Sequence, residues 1–275
     1  MQEKSRFKNL YPDRTLLEES MNLLEWDSLK IQLSTFASTE KGKEAILNSE
    51  IPSEYEFSKR LLNETVEIYE LENNTDKLIS FSGVYDITKN IEICSKGGVI
   101  LSSELLEIAN TISAARNLKN NLLDFDERPF VSSFLKNLID YSNIEKTIKN
   151  GIESNGRISD NASDKLHILR KELLSKKQER KVFVDKFIQK NLAYLQDSII
   201  GDRYGRPVLA VKVQYLDKFK GIIHDSSSSG NTVYLEPENV VIKGNKIASI
   251  QAKITAEEFK LLKHWSQIVS DNSEN

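Results

Sequence analysis

Apolar side chains recur at three- and four-residue intervals along most of this chain, the spacing of helices that turn one face to a core. Over residues 15–37 they are Leu16, Leu17, Leu23, Leu24, Leu29, Ile31, Leu33 and Phe36, some on more than one face. A second helix is expected from Ser38-Thr39 to Leu47, with Ser38 as its cap and Glu40 in its first turn. Pro52 interrupts the chain. Phe57, Leu61, Leu62, Thr65, Ile68, Tyr69 and Leu71 then predict a helix over 53–71, and Asn73-Asn74-Thr75-Asp76 reads as a surface turn. Lys96-Gly97-Gly98 is a helix-ending signal. Ser102-Ser103-Glu104 opens a further helix carrying Leu105, Leu106, Ile108, Ala109, Ile112, Ala115, Leu118 and Leu122, and Pro129 separates it from more helical pattern over 130–149.

The pattern changes at 157–196. Ser159-Asp160-Asn161 supplies capping residues, and no Gly or Pro follows until Gly201. That permits about 35 helical residues, roughly 50 Å. Leu166, Leu169, Leu173, Phe183 and Phe187 hold one heptad register, with Lys176 and Arg180 in the seam between them. Such a segment is either a hairpin helix with a solvated middle or an arm whose basic stretch meets phosphate. Residues 206–242 read as strands instead: 206–215, 221–225, 232–236 and 240–242, with Ser226-Ser227-Ser228-Ser229-Gly230-Asn231 as the turn between the middle two. Helical spacing resumes from about Lys246 to Val269. The expected architecture is mostly α: a helical core (1–155), a long helix (156–200), a small antiparallel β element (201–245) and the start of a returning helix (246–275).

Composition fits long elements, since the 275 residues contain only 11 Gly and 5 Pro. The net charge of −3 conceals an asymmetry. Residues 1–130 carry 15 basic and 23 acidic side chains, whereas 165–220 carry 14 basic and 6 acidic. Concentrated positive charge points to a local anionic partner. The single Cys94 excludes an internal disulfide framework and a cysteine-based zinc site, and it suits a reducing, cytoplasmic setting. No apolar run approaches the roughly 20 residues of a membrane span. Neither a P-loop nor a G-x-G-x-x-G loop is present, so these residues hold no nucleotide-binding loop and no resident cofactor is expected. His224-Asp225 beside four serines resembles triad chemistry only in composition, because neighbours on a strand point to opposite faces. His167, His224 and His264 are too widely separated to suggest a metal site.

The 212–231 segment has a different logic. Lys212, Lys218 and Lys220 can reach phosphate oxygens, as can serine and asparagine side chains and turn N–H groups. Tyr215 and Phe219 either stack on bases or pack within the small sheet. The serine run, taken alone, is equally a plain polar turn.

Arg206-Pro-Val-Leu-Ala-Val-Lys212 followed by Gly221-Ile-Ile-His-Asp-Ser-Ser-Ser-Ser-Gly-Asn-Thr-Val-Tyr-Leu-Glu-Pro237 resembles the characteristic segment of MutS-two proteins, the MutS paralogues without a mismatch-reading N-terminal domain. Leu23-Leu24-Glu25-Trp26, Ala37-Ser38-Thr39-Glu40-Lys41-Gly42-Lys43, Gly97-Gly98-Val99-Ile100-Leu101 and 156–163 agree in order, so the resemblance extends from residue 16 to about 245. It departs at Lys243-Gly244-Asn245, where the family has paired asparagines. The resemblance implies the core, lever and clamp portion of a homodimeric ATPase, often with a nuclease domain, that binds branched DNA, suppresses homologous recombination or acts on stalled ribosomes. It implies a lever moved by nucleotide binding elsewhere, with ATP and magnesium belonging to an ATPase domain outside these residues. The partners implied are DNA, branched or duplex, or ribosomal RNA. The candidate contacts are Lys176, Lys177, Arg180, Lys181, Arg203, Arg206, Lys212, Lys218, Lys220, His224, Ser226, Ser227, Ser228, Ser229 and Asn231, with no catalytic residue. The alternative is a helical dimerisation or protein-docking module without nucleic-acid contact.

Overall fold

The computed structural model describes residues 14–52, 54–74 and 79–273, and side chains from Glu18 onward. The side chains of Leu16 and Leu17, the Thr75-Asp76 half of the expected turn and the final Glu274-Asn275 lie outside the described residues. The fold is mostly helical with one small antiparallel sheet. The chain divides into two compact units, residues 1–149 with 154–156 and 265–275, and residues 150–153 with 157–264.

The first unit contains α1 (Arg14–Leu23), α2 (Trp26–Ser34), α3 (Glu40–Leu47), α4 (Tyr55–Asn74), α5 (Thr88–Ser95), α6 (Ser102–Leu122), α7 (Pro129–Asn137) and most of α8 (Ser142–Gly151). The single helix expected over 15–37 is two, because Glu25 takes a left-handed conformation (φ 51°) that α-helical hydrogen bonding cannot pass through. Thr39, rather than Ser38, caps α3, its hydroxyl accepting from the Gly42 N–H at 3.0 Å. The helix expected over 130–149 is likewise two, α7 and α8, separated by residues 138–141. A core of Leu71, Leu118, Leu122, Val131 and Leu135 joins α4, α6 and α7. Glu67 on α4 accepts the Phe130 and Val131 N–H groups, so one buried helix start is satisfied from a neighbouring helix.

The second unit is built on α9 (Asp164–Asn191), β1 (Gly201–Arg203), β2 (Arg206–Lys212), β3 (Gly221–Ser226), β4 (Thr232–Pro237) and the larger part of α10 (Glu238–Ser270). The long helix is shorter than the sequence allowed: Asp160–Ala162 forms a separate 3-10 turn capped by Ser159, and Ser163 is the cap of the helix, accepting from the Leu166 N–H. At 28 residues it is still about 42 Å long. α10 runs antiparallel to it, as Lys165 meets Glu257 at one end while Lys243 lies over the Phe183 ring at the other.

The sheet order is β1-β2-β4-β3, all antiparallel. Tyr204 and Gly205 (φ 55° and 76°) make the two-residue turn that adds β1, a strand the sequence reading missed. Residues 240–242, expected as a strand, lie in α10, which starts at Glu238 and runs through Gly244 without a break. Residues 213–215, expected to extend β2, lie instead in a 3-10 turn over Val213–Lys218. Leu209, Val211, Leu235 and Val240 bury against Val184, Ile188 and Leu195, with Phe183, Phe187 and Phe219 at the margin. Val184 and Ile188 of the long helix therefore form the floor of the sheet, with its two phenylalanines at the edge.

Candidate nucleic-acid interface

All fifteen candidate residues fall in the second unit, but the structure distributes them between two levels. β2 advances from Arg206, near Arg180 and Gly244, to Lys212, whose Nζ donates to the Ala193 carbonyl at 3.3 Å. Six strand steps and thirteen helix steps both span about 20 Å, so β2 tracks the last turns of α9. The 3-10 turns at 192–194 and 213–218 and the 226–231 turn then gather at the C-terminal end of α9, where the Val213 N–H bonds the Asn231 carbonyl at 3.1 Å.

The level nearer the middle of α9 is ionic and closed. Glu236 on β4 is 1 % exposed. His224 Nε2 lies 2.9 Å from its Oε2, and Arg206 Nη1 lies 3.5 Å from its Oε1. Arg206 also donates to Asn245 Oδ1 at 3.1 Å. A register shift between Ile223 and Asp225 sets His224 out of the regular pairing with β4, and Asp225 turns instead to Arg203 at 3.3 Å. Arg203 lies over the Tyr234 ring at 4.2 Å. A buried carboxylate needs such partners, since unpaired it would be strongly destabilising. His224, Arg206 and Arg203 are thus occupied with anions of the protein itself. Among the described residues no serine is the hydrogen-bond partner of His224, whose ring bonds Glu236.

The distal level is cationic and open. Lys218 Nζ sits 4.2 Å above the Tyr194 ring and 5.4 Å from that of Tyr215, and the two rings meet edge to face at 5.1 Å. Rings and carbonyls hold an ammonium group without cancelling its charge. In the 226–231 turn the Ser227 hydroxyl accepts the Thr232 N–H at 3.1 Å and the Gly230 N–H bonds the Ser227 carbonyl, while Ser226, Ser228, Ser229 and Asn231 are exposed. On α9, Lys176 pairs with Glu179 at 2.7 Å, whose carboxyl it holds below the ordinary value through that hydrogen bond. Nearer the middle of α9, Lys177 and Lys181 are exposed and join no ion pair among the described residues, as is true of Lys220 at the opposite end of β3 from the serine turn, while Arg180 lies beside Gly244.

Sequence reasoning assigned no role to Glu236, Tyr194, Tyr234 or Asn245. Glu236 had a visible signal, a lone carboxylate inside the apolar Thr232-Val-Tyr-Leu-Glu-Pro237 strand. Tyr194 had none, because its partner lies 24 positions away. No group of three or more His, Cys, Asp or Glu able to hold a metal occurs among the described residues, and no described helix is long and apolar enough to cross a membrane.

No family model matches the chain. Individual relatives do. It is 32 % identical over 255 residues to Endonuclease MutS2 of Synechocystis, covering 93 % of this chain and 31 % of that protein. Endonuclease MutS2 of Clostridium perfringens is 31 % identical over 258 residues (92 % and 32 %), and that of Exiguobacterium sibiricum 30 % over 260 residues (91 % and 32 %). The chain spans about a third of the length of these curated relatives. With matches of this depth running through nearly all of its residues, the chain belongs to the MutS2 family and corresponds to one part of such proteins.

Proposed function

We propose that the second unit is a phosphate-gripping element of a MutS2-like protein, engaging branched or duplex DNA or structured ribosomal RNA. The supporting observation is a set of lysines without a carboxylate partner among the described residues: Lys212 and Lys218 at the C-terminal end of α9, where the exposed serine turn also lies, and the exposed Lys220 at the opposite end of β3. The relatives are named endonucleases, which fits a nucleic-acid ligand. On this reading the grip is passive, works in the cytoplasm as part of a homodimer, and serves recombination control or stalled ribosomes. Any ATP and magnesium chemistry then belongs to regions of the relatives outside the stretch matched here. Contacts of this kind bind through backbone charge, with little base preference.

The test is fluorescence anisotropy of the 275-residue chain with a labelled four-way DNA junction and a ribosomal RNA hairpin. Two phosphate contacts, one at Lys212 with Lys218 and one at Lys220, predict that log K falls with log salt at a slope of about −2 between roughly 50 and 200 mM. Absence of salt-sensitive binding to either probe overturns the proposal. A second reading, a helical dimerisation or docking module, draws on the exposed Leu23, Phe36, Tyr55, Leu62 and Tyr69 of the first unit. Light scattering separates it, because it requires self-association or a protein partner and no salt-dependent nucleic-acid binding.

A further inference from the structure

Within the distal level, two ammonium groups are drawn to consecutive residues of one short turn. Lys212 Nζ donates to the Ala193 carbonyl at 3.3 Å, and Lys218 Nζ rests on the Tyr194 ring at 4.2 Å. Neither makes an ion pair among the described residues, and Asp217, the sequence neighbour of Lys218, pairs with neither. Lys176, Arg203 and Arg206 instead face Glu179, Asp225 and Glu236, while Lys177, Lys181 and Lys220 are exposed with no ring seat among the described residues to fix them. Two like charges held near one turn with no carboxylate between them repel each other, and an oxyanion placed there relieves that repulsion.

The ring seat is itself a built feature. Tyr194 meets Tyr215 at 5.1 Å and Phe219 at 6.1 Å, and Phe219 meets Phe187 of α9 at 5.9 Å. Tyr194 and Tyr215 are half-buried, while Lys218 is exposed. The rings are thus fixed from below by the helix floor, and the cation lies on their outer side. A flexible lysine loses much of its rotamer freedom on binding an anion, and a lysine already seated on a ring has given up part of it beforehand.

We propose that Tyr194 and Tyr215 seat Lys218 next to Lys212 as a two-cation receptor for one backbone phosphodiester, with Tyr194 as a positioning residue. This rests on the nucleic-acid reading above and deepens it. The chemistry recognised is a phosphate oxyanion, and the rings shape the cation rather than stack on a base.

The experiment compares variants of the whole chain by anisotropy with the labelled DNA junction across the same salt range. Lys218→Met and Lys212→Met each weaken binding about three- to tenfold, and the double variant, which empties the receptor, lowers the salt slope by about 0.9, the value of one phosphate contact. Lys96→Met, an exposed lysine of the first unit that pairs with Glu92, leaves affinity and slope within error. Tyr194→Leu weakens binding severalfold, whereas Tyr194→Phe, which keeps the ring and loses only the hydroxyl, binds as the parent chain does. Should Tyr194→Leu fold poorly, the phenylalanine variant and the exposed Lys218→Met decide the matter. If the parent chain binds with a steep salt slope but Lys218→Met is indistinguishable from it, the two-cation receptor is wrong and the broader reading stands. If Tyr194→Phe loses as much as Tyr194→Leu, the ring seat is wrong. A parent chain with no salt-dependent binding overturns both.

Discussion

A single glycine in α10 shows how closely the charged cluster fits its surroundings. Gly244 lies seven residues into that helix, where glycine is less favourable than alanine by about 1 kcal/mol. A Cβ there would stand 2.9 Å from Arg206 Nη1 and 3.5 Å from Glu236 Oε1. The guanidinium can swing away, but only by leaving a carboxylate that is 1 % exposed. Removing one partner of a buried ion pair costs about 3–5 kcal/mol, and a partial displacement costs a fraction of that. The lost ion pair outweighs the gained propensity, so Gly244→Ala is expected to destabilise the chain by about 1–2 kcal/mol. In an Arg206→Met background the obstruction is gone, and the same substitution becomes neutral or stabilising. Urea unfolding of the four proteins as a double-mutant cycle measures the coupling. A stabilised Gly244→Ala in the parent background would contradict the packing described. Gly221 is a parallel case: its Cβ would lie 2.2 Å from the Glu236 carbonyl oxygen, a backbone atom that cannot step aside.

Among the elements, the α9–α10 pair carries its own acid sensitivity. Glu257 accepts from Lys165 Nζ at 2.7 Å and Ser163 Oγ at 3.1 Å, and its side chain is 6 % exposed. The Lys165 hydrogen bond, against an opposing contribution from burial, holds its carboxyl below the ordinary 4.5. Asp160, bonded chiefly by Arg170, is likewise held below 3.8, and Arg170 continues to Glu258 at 2.6 Å. A carboxyl whose folded value is depressed stabilises the fold above its unfolded value, and that contribution disappears as pH falls through the folded one. Thermal unfolding is therefore expected to move to lower temperature as pH drops below about 4.5, and Glu257→Gln to be less stable at neutral pH and flatter across that acid window. Equal acid sensitivity in the two proteins would remove Glu257 from the cause.

The pair also marks how far the sequence could be read. The heptad run of Leu166, Leu169, Phe183 and Phe187 made α9 legible, and the dense β-branched residues made β2, β3 and β4 legible. Val240-Val-Ile242 has the same local preference yet is helical, because Val240 is needed in the cluster with Val184 and Ile188 and tertiary packing decides. The break at Glu25 and the Tyr204-Gly205 turn were invisible for another reason: both depend on a non-glycine residue in the left-handed region. The candidate lysines were visible as residues, but their sorting by partner was not. Whether a cation faces a carboxylate or a ring is decided by positions far apart in the chain, such as Lys218 and Tyr194.

At the scale of the whole molecule, the two units present different chemistry to solvent. The stretch 165–220, rich in Lys and Arg, belongs to the second, while the first exposes apolar side chains in its opening helices. α2 and α3 bury no residue, and in α4 only Leu71 is buried. Leu23, Leu24, Leu29, Ile31, Leu33, Phe36, Tyr55 and Leu62 are each more than half exposed. Apolar exposure on this scale is a mark of interaction surfaces rather than of ordinary solvated helices. Side chains that are exposed contribute little to the fold of the chain that carries them, and surface substitutions usually change stability by no more than about 0.5 kcal/mol. Phe36→Lys with Leu62→Lys should therefore leave the unfolding temperature within about 2 °C of the parent. Any self-association seen by light scattering should fall toward the 31.4 kDa of a single chain, and the salt-dependent binding proposed for the second unit should be unaffected. A fall of ten degrees or more would show that Phe36 and Leu62 belong to the core of the first unit. Unchanged stability with undiminished association would move the contact to a different surface.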